Sequence, residues 1–249
     1  MMLKQGAEEE VATSAKEIYD GYMFKNDDPG YYKVTRHNQD SYEDNFGPLL
    51  PPDKNAGILE IGCGAGQLLY YIRSKGYRSL VGVDLGEEQV GYLTRMGIEG
   101  HVISSISGFL EKRHGSYDLI IMNQVMEHLR KDTMLRDLRS IHAALRPGGA
   151  LVFMTPNMAC LSGTFQRYID LTHEIGFTER SAFQALSVAG FKDIAIRGER
   201  VRFSLNPKRA AWCLSGIIWR AVLGLIYTIE RGSDRPRVLH RNLIAVGKK

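Results

Sequence analysis

The chemistry of this chain begins with a carboxylate, three glycines and a second carboxylate set at short intervals. Glu60 stands within the apolar run Ile58, Leu59 and Ile61, and Gly62, Gly64 and Gly66 follow it directly. Glycine tolerates positive φ and has no Cβ, so a ligand can lie against its backbone. A lone carboxylate in an apolar strand is costly to bury, which places Glu60 at the strand's carboxyl end, facing a polar or cationic ligand. Asp84 comes about twenty residues after the glycines, where an acid closing a strand can accept both ribose hydroxyls of a nucleoside. The same acid could instead cap the helix that follows it. A further group is titratable: Glu127-His128, and His173-Glu174 beside Asp170 and Thr172. Such side chains can take a proton from a hydroxyl, or simply brace the loops they belong to.

These residues need a scaffold, and the hydrophobic pattern supplies one. Residues 58–61 read as a strand covered on both faces, and Leu68, Leu69, Tyr71 and Ile72 begin a helix at Gln67. Strands follow at 79–84, at 101–103 and at 117–122, the second of these the weakest. A helix opens with the Glu127-His128 pair, runs to 145, and ends at Arg146-Pro147-Gly148-Gly149, which cannot continue it. Residues 150–157 form a fifth strand, Thr178 caps a helix over 179–189, and strands at 194–197 and 243–246 complete the sheet. Ahead of the first strand, helices over 8–22 and 38–46 flank a polar turn at 26–32. There, Tyr19, Tyr22, Tyr31, Tyr32, Tyr42 and Arg36 could line a substrate mouth or serve as half-buried packing.

The glycine run in Leu59-Glu60-Ile61-Gly62-Cys63-Gly64-Ala65-Gly66 resembles the first motif of the class I S-adenosylmethionine-dependent methyltransferases. A dinucleotide fingerprint would need glycine where Gln67 stands. Two further stretches share the likeness: Asp118 with four apolar residues before Glu127-His128, and Leu145-Arg146-Pro147-Gly148-Gly149 before a strand. The resemblance implies an α/β, Rossmann-like sheet of seven strands, mostly parallel with the last antiparallel. It implies S-adenosylmethionine as cofactor, with Gly62 and Gly64 near its methionyl part, Glu60 at its amino group and Asp84 at its ribose. Asn123 and Gln124 would flank the methionyl end, and Cys63, Gly66 and Leu85 complete the set. The family often has an Asp after the third strand for the adenine amine; Ser104 and Ser105 stand here instead, so the adenine contact is left to a hydroxyl, with Ser105 in the cofactor set, or to a backbone group.

Methyl transfer to a hydroxyl calls for a general base, and His173, Glu174 and His128 are the candidates. No ligand spacing in the sequence supports a metal. The segment Tyr168-x-Asp170-x-Thr172-His173-Glu174-x-x-Phe177-Thr178 looks like those of methyltransferases encoded with bacterial surface-polysaccharide enzymes. That likeness implies a sugar hydroxyl, on a nucleotide-sugar or a lipid-linked glycan, as acceptor. A small aromatic or quinone precursor is the rival acceptor, and a non-catalytic cofactor-binding scaffold is the reading from another class. The intact glycine loop and Asp84 argue against the scaffold. No Asn-Pro-Pro-Tyr-like base pocket is present, so a nucleic-acid partner is not expected.

Length and composition fit one α/β domain with additions: 249 residues, 44% hydrophobic and 24% charged. The expected divisions are a helical cap over 1–54, a cofactor-binding core over 55–200, an inserted apolar and basic segment over 201–237, and a final core strand over 238–249. Cys63, Cys160 and Cys213 form neither a disulfide framework nor a metal set, and the acidic start is no signal peptide. A cytoplasmic setting follows. Charge is uneven. Residues 1–196 carry 20 Lys and Arg against 25 Asp and Glu, whereas 197–249 carry 12 against 3. Within that basic tail, residues 207–231 predict a long apolar helix interrupted by Arg220, with Leu214, Ile218, Val222, Leu225 and Ile229 on one face. A helix buried on the domain or in a homodimer is one expectation, and an in-plane peripheral membrane contact over 207–237 is the other. Spanning ranks behind both, because Arg220 would sit mid-bilayer.

Overall fold

The computed structural model describes residues 36–202 and 207–249. The expected helix over 8–22 and turn over 26–32, with Tyr19, Tyr22, Tyr31, Tyr32 and the Arg36 side chain, lie outside the described residues. The chain alternates strand and helix: α1 (Arg36–Asn45), β1 (Ile58–Ile61), α2 (Gln67–Ser74), β2 (Leu80–Asp84), α3 (Glu87–Arg95), β3 (Glu99–Val102), α4 (Ile106–Leu110), β4 (Tyr117–Asn123), α5 (Met134–Ala144), β5 (Leu145–Pro156), α6 (Gly163–Tyr168), α7 (Glu179–Ala189), β6 (Lys192–Gly198), α8 (Pro207–Arg231) and β7 (Asn242–Lys248). The strands form one sheet in the order β3-β2-β1-β4-β5-β7-β6. The first five are parallel, and β7 runs antiparallel between β5 and β6. This is the seven-stranded α/β sheet that the motifs implied.

The apolar runs are explained by burial on both faces. In β1, Leu59 and Ile61 face the layer built from α4, α5 and α7, while Ile58 faces the layer of α2 and α3. In β4, Ile120 and Met122 take the first side, Leu119 and Ile121 the second. Period-two alternation between two apolar layers leaves no polar face, so the strands read as continuous hydrophobic sequence. Gly82 in β2 lets the second layer close in, because a Cβ there would lie 2.8 Å from Leu69 Cδ1 and Leu93 Cδ1.

Several boundaries differ from the sequence reading. The Glu127-His128 pair does not open a helix. It forms a single 3-10 turn, Met126–His128, and α5 starts only at Met134. The Glu127 carbonyl accepts the amides of Glu174 at 2.7 Å and Ile175 at 3.1 Å, so it is not available to close an α-helical turn. The third strand falls at Glu99–Val102 rather than 101–103, and α4 and α6 arise where no periodicity was read. Helices of five and six residues are too short to show one. Thr178 caps α7 as expected, in a capping box with Ser181.

Residues 197–202 hold α1 against the body. Buried Asn45 gives its amide to the Arg200 carbonyl at 3.0 Å and takes the Arg200 N–H at 2.7 Å. Arg197 donates to the Asn45 carbonyl at 2.7 Å. Arg202 pairs with Asp44 at 2.7 Å and with Asp40 at 3.2 Å.

Candidate active site

The carboxyl ends of β1, β2 and β4 meet where strand order reverses, the usual ligand crevice of an open parallel sheet. The three glycines there do different work. A Cβ on Gly62 would lie 2.3 Å from Val125 Cγ2, and one on Gly66 would lie 2.7 Å from Leu93 Cδ2. Those two are needed for packing. At Gly64, with φ +51°, nothing lies within 4 Å of the Cβ position, so its surface is open.

Asp84 reaches back to this loop. Its Oδ2 accepts the Gly64 N–H at 2.8 Å and its Oδ1 accepts the Gly86 N–H at 3.2 Å. Gly86, not Asp84, is the N-cap of α3, and no side chain caps that helix, so the carboxylate orders the turn ahead of it and retains further lone pairs for a ligand. Leu85 is exposed beside it. Glu60 is 3% exposed, and its Oε2 is buried without a hydrogen-bond partner. Burial first, then the nearby negative charge of Asp84, push its carboxyl well above the usual range, against a backbone hydrogen bond from Leu69. An orphaned buried oxygen beside an open glycine backbone fits a ligand that brings a donor, such as the amino group of S-adenosylmethionine. Burial also raises the Cys63 thiol strongly, with Glu60 and Asp84 adding to the effect, so Cys63 stays a protonated lining residue.

On the β4 side, Gln124 takes a left-handed conformation, φ +58°, and donates its N–H to the Met154 carbonyl at 2.9 Å. Positive φ in a non-glycine residue is uncommon and concentrates at functional sites. Asn123 sits half-buried at the strand's last ladder position. Ser105 is exposed at the start of α4, where its hydroxyl oxygen caps the helix by accepting the Gly108 N–H at 3.1 Å. Tyr42 packs beside Phe46 and Tyr71, so it serves as packing rather than as an open wall.

Beyond β4 and β5 lies the titratable cluster. Glu127 is 2% exposed and accepts the Thr155 hydroxyl at 2.9 Å. Burial pushes its carboxyl up to about 7. The His128 and His173 rings meet edge to face, 4.7 Å between centroids. His173 Nδ1 lies 2.7 Å from the Gln166 carbonyl, which can only accept, so Nδ1 carries a proton and the lone pair of the neutral ring falls on Nε2. His128 Nδ1 lies 2.9 Å from the Thr172 hydroxyl, which itself donates to Asp170 at 2.7 Å. Burial brings His128 down to about 4, with His173 adding to the effect and Asp170 opposing it. The Asp170 carboxyl is raised by burial, but the Thr172 hydroxyl and amide and the two imidazoles outweigh that and hold it low. Arg167 clamps the carbonyls of His173 and Glu174. The Glu174 residue is exposed.

Sequence reasoning thus selected both histidines but not Glu127 as a site residue, nor Thr155 as its partner. The Glu-His pair was the available signal. Ligand atoms of Glu127, His128 and His173 come within 4.8 Å of one another, a grouping of metal-ligand types that no sequence spacing revealed.

This architecture, with its glycine loop and strand-end acids, defines the Rossmann-like class that binds nucleoside cofactors. A family profile described as "Methyltransferase domain" matches residues 34–202. The chain belongs to that family, the S-adenosylmethionine-dependent methyltransferases of class I. It is 28% identical over 204 residues to a tRNA U34 carboxymethyltransferase of Vibrio campbellii, covering 74% of this chain and 59% of that one. It is 24% identical over 196 residues to a malonyl-[acyl-carrier protein] O-methyltransferase of Enterobacter lignolyticus, covering 78% and 73%. The chain therefore spans less than two thirds of the Vibrio relative's length. Among solved structures, an S-adenosylmethionine-dependent methyltransferase from Archaeoglobus fulgidus matches with TM-score 0.63 at 19% identity, covering 85% of this chain and 92% of that one. A Haemonchus contortus phosphoethanolamine N-methyltransferase 2, in complex with S-adenosylmethionine, matches with TM-score 0.58 at 18% identity, covering 90% and 58%.

Proposed function

We propose that this chain transfers the methyl group of S-adenosylmethionine to a hydroxyl oxygen, with His173 as general base. The observation that carries the reading is the fixed tautomer of His173, whose Nδ1–H is held by the Gln166 carbonyl. The cofactor, when bound, supplies an electrophilic sulfonium methyl; the protein's part is alignment and proton removal. Gly64, Glu60 and Asp84 would hold the cofactor by backbone approach, amino-group contact and ribose contact, with Gly62, Cys63, Gly66, Leu85, Ser105, Asn123 and Gln124 around them. His173 Nε2 would receive the acceptor's proton. His128, neutral at ordinary pH, would orient the hydroxyl, its ring kept in register by Thr172 and Asp170. Exposed Glu174 is then a weaker candidate for the base than its neighbour.

A sugar hydroxyl remains the acceptor we favour, on the likeness of the 168–178 segment to surface-polysaccharide enzymes. The two named relatives bring other acceptor classes, a tRNA and an acyl-carrier ester. Labelled S-adenosylmethionine incubated in parallel with cell-envelope glycan precursors, tRNA and malonyl-acyl-carrier protein tests this. Label entering only the glycan fraction, in an alkali-stable ether, supports the reading; label in tRNA or in an ester removes it.

A second reading is favoured by the grouping of Glu127, His128 and His173. A divalent cation held there would bind the acceptor oxygen and lower its pKa, relieving the buried Glu127 charge. The ligand atoms would have to draw closer than 4.8 Å, since ligands about 2.0–2.2 Å from a zinc ion lie nearer one another than that. Dialysis against a chelator decides between the two. Turnover lost on dialysis and restored by a divalent ion favours the cation; unchanged turnover favours His173 acting alone.

A further inference from the structure

Helix α8 is amphipathic the wrong way round for a solitary domain. Its 25 residues extend about 37 Å. The apolar stretch within Ala210–Asp234 has a mean hydropathy of 1.6, yet 6% of it is buried. Leu214, Ile218, Leu225 and Ile229 are 55–79% exposed, and Trp212 and Trp219 are exposed with them. The polar stripe faces the body instead. Arg220 turns inward beside buried Gly224, whose Cβ position lies 3.5 Å from Leu239, and exposed Thr228 borders the rim. A helix meant to be covered by its own domain would present the opposite face.

Under that inward stripe is an open cleft of about 430 Å³ into which Arg220, Arg235, Arg237 and His240 project. None of the ion pairs among the described residues uses these three arginines. The His240 Nδ1 is buried without a partner, and Gly198 allows the ring to sit there, since a Cβ would come within 2.0 Å of it. A concave set of unneutralised guanidiniums is chemistry for phosphate, which Arg binds in bidentate fashion.

We propose that α8 lies in the plane of an anionic phospholipid surface, its outward apolar face among the acyl chains, while the cleft of Arg220, Arg235, Arg237 and His240 takes a lipid phosphate. This goes beyond the methyl-transfer reading and does not depend on it. Three observations select a membrane over a second copy of the chain. The cations border the apolar face and form no ion pair, the nearby Glu179 carboxylate being engaged by the Arg237 and Val238 amides, so a two-fold contact would bring like charges together. The flank is basic where a headgroup layer is anionic. Trp212, Trp219 and Tyr227 are the aromatics that settle at a lipid–water boundary. The inward-facing Arg220 also sets the depth, because a spanning helix would carry it to the bilayer centre.

Flotation of the full chain with vesicles tests this. The protein is expected to float with vesicles of phosphatidylglycerol and phosphatidylcholine. It should float about tenfold less with phosphatidylcholine alone, in high salt, or after Arg235→Glu with Arg237→Glu. Ile218→Asp with Ile229→Asp, both away from the cleft, should also abolish flotation, with an unchanged melting temperature showing that the fold is intact. Equal flotation on neutral vesicles would overturn the phosphate role. No flotation of the intact protein, with a dimer in sedimentation that Leu225→Asp dissolves, would give the helix to self-association. Binding of tRNA that survives where vesicle binding does not, and that the arginine reversals abolish, would assign the cleft to nucleic acid instead.

Discussion

Glu127 and Ile229 stand in environments that neither would choose alone: the carboxylate is 2% exposed and the isoleucine 79%. Around Glu127 the surplus is of titratable groups, one buried and the others half-buried, held by Thr155, Thr172, Asp170 and the Gln166 carbonyl. Around Ile229 it is of uncovered apolar surface, on a helix that shows its polar side to the body. A buried charge without a counterion and an exposed apolar stripe both cost free energy in an isolated domain. The two regions differ in what would relieve them: a small polar ligand in the first, an extended apolar phase in the second. They also differ in rigidity. The first is cross-bonded between three segments of chain, and the second meets the 235–240 segment along one narrow line through Arg220 and Gly224.

Breaking the cluster should have the largest effect. His173→Ala is expected to lower turnover about 10²-fold or more while leaving cofactor affinity unchanged, since the base acts on the acceptor. Stopped assays and calorimetry on one preparation check both halves; a matched loss of cofactor affinity would mean that the ring merely braces the site. Next comes the glycine loop. Gly64→Asn should cut S-adenosylmethionine affinity by about tenfold or more in calorimetry with the fold retained, because asparagine tolerates the left-handed φ of +51° and its Cβ meets no protein atom. The contrast is Gly62→Val, which should fail to fold against Val125.

The next effect is on pH dependence. In the folded protein the Glu127 carboxyl sits at about 7, against 4.5 when free. Folding retains a proton there that the unfolded chain has released, so this stabilisation is full below 4.5 and is lost as pH rises through 7. His128, at about 4 against 6.5, acts in reverse: its contribution is present above 6.5 and is lost as pH falls toward 4. Over 4.5 to 6.5 the two slopes oppose each other. Glu127→Gln removes one of them, so in chelator-treated protein the variant should gain on the parent by about 1–3 kcal/mol between pH 5 and pH 8. Thermal unfolding at the two pH values reads this as a shift of several degrees, and a difference independent of pH would remove the buried-carboxyl account. The smallest effect is expected on α8. Leu225→Asp should change stability by only about 0.5 kcal/mol, against about 2–5 kcal/mol for Ile141→Ala in the core. A large loss at Leu225 would mean that the helix is covered in solution.

What the sequence revealed depended on how local each cause was. Ile58, Leu59 and Ile61 declare a two-sided strand because burial on both faces leaves no alternation to hide it. Thr178 and Gly190 mark both ends of α7 through backbone preferences that act within one turn. Glu127 was illegible as a buried group, because what ends its helix and binds its carbonyl arrives from residues 174 and 175, far along the chain. The role of Gly62 was likewise hidden: it is packing against Val125, not only the freedom of a turn. For α8 the stripe was visible, but which side would face the body depended on Leu239 and the 235–240 segment coming back beneath it.

One consequence of the sheet order concerns the sequence of events during synthesis. β7 lies between β5 and β6, so β6 has no neighbour to pair with until residues 242–248 have left the ribosome. Helix α8 precedes them, and its backbone bonds are all local, so it can form while the edge of the sheet is still open. For that interval the nascent chain shows an oily rod and an unzipped sheet edge together, and a nearby bilayer that takes up the rod would keep the two apart. If α8 docks on a bilayer as proposed, that contact would act first as a chaperone and only afterwards as an address.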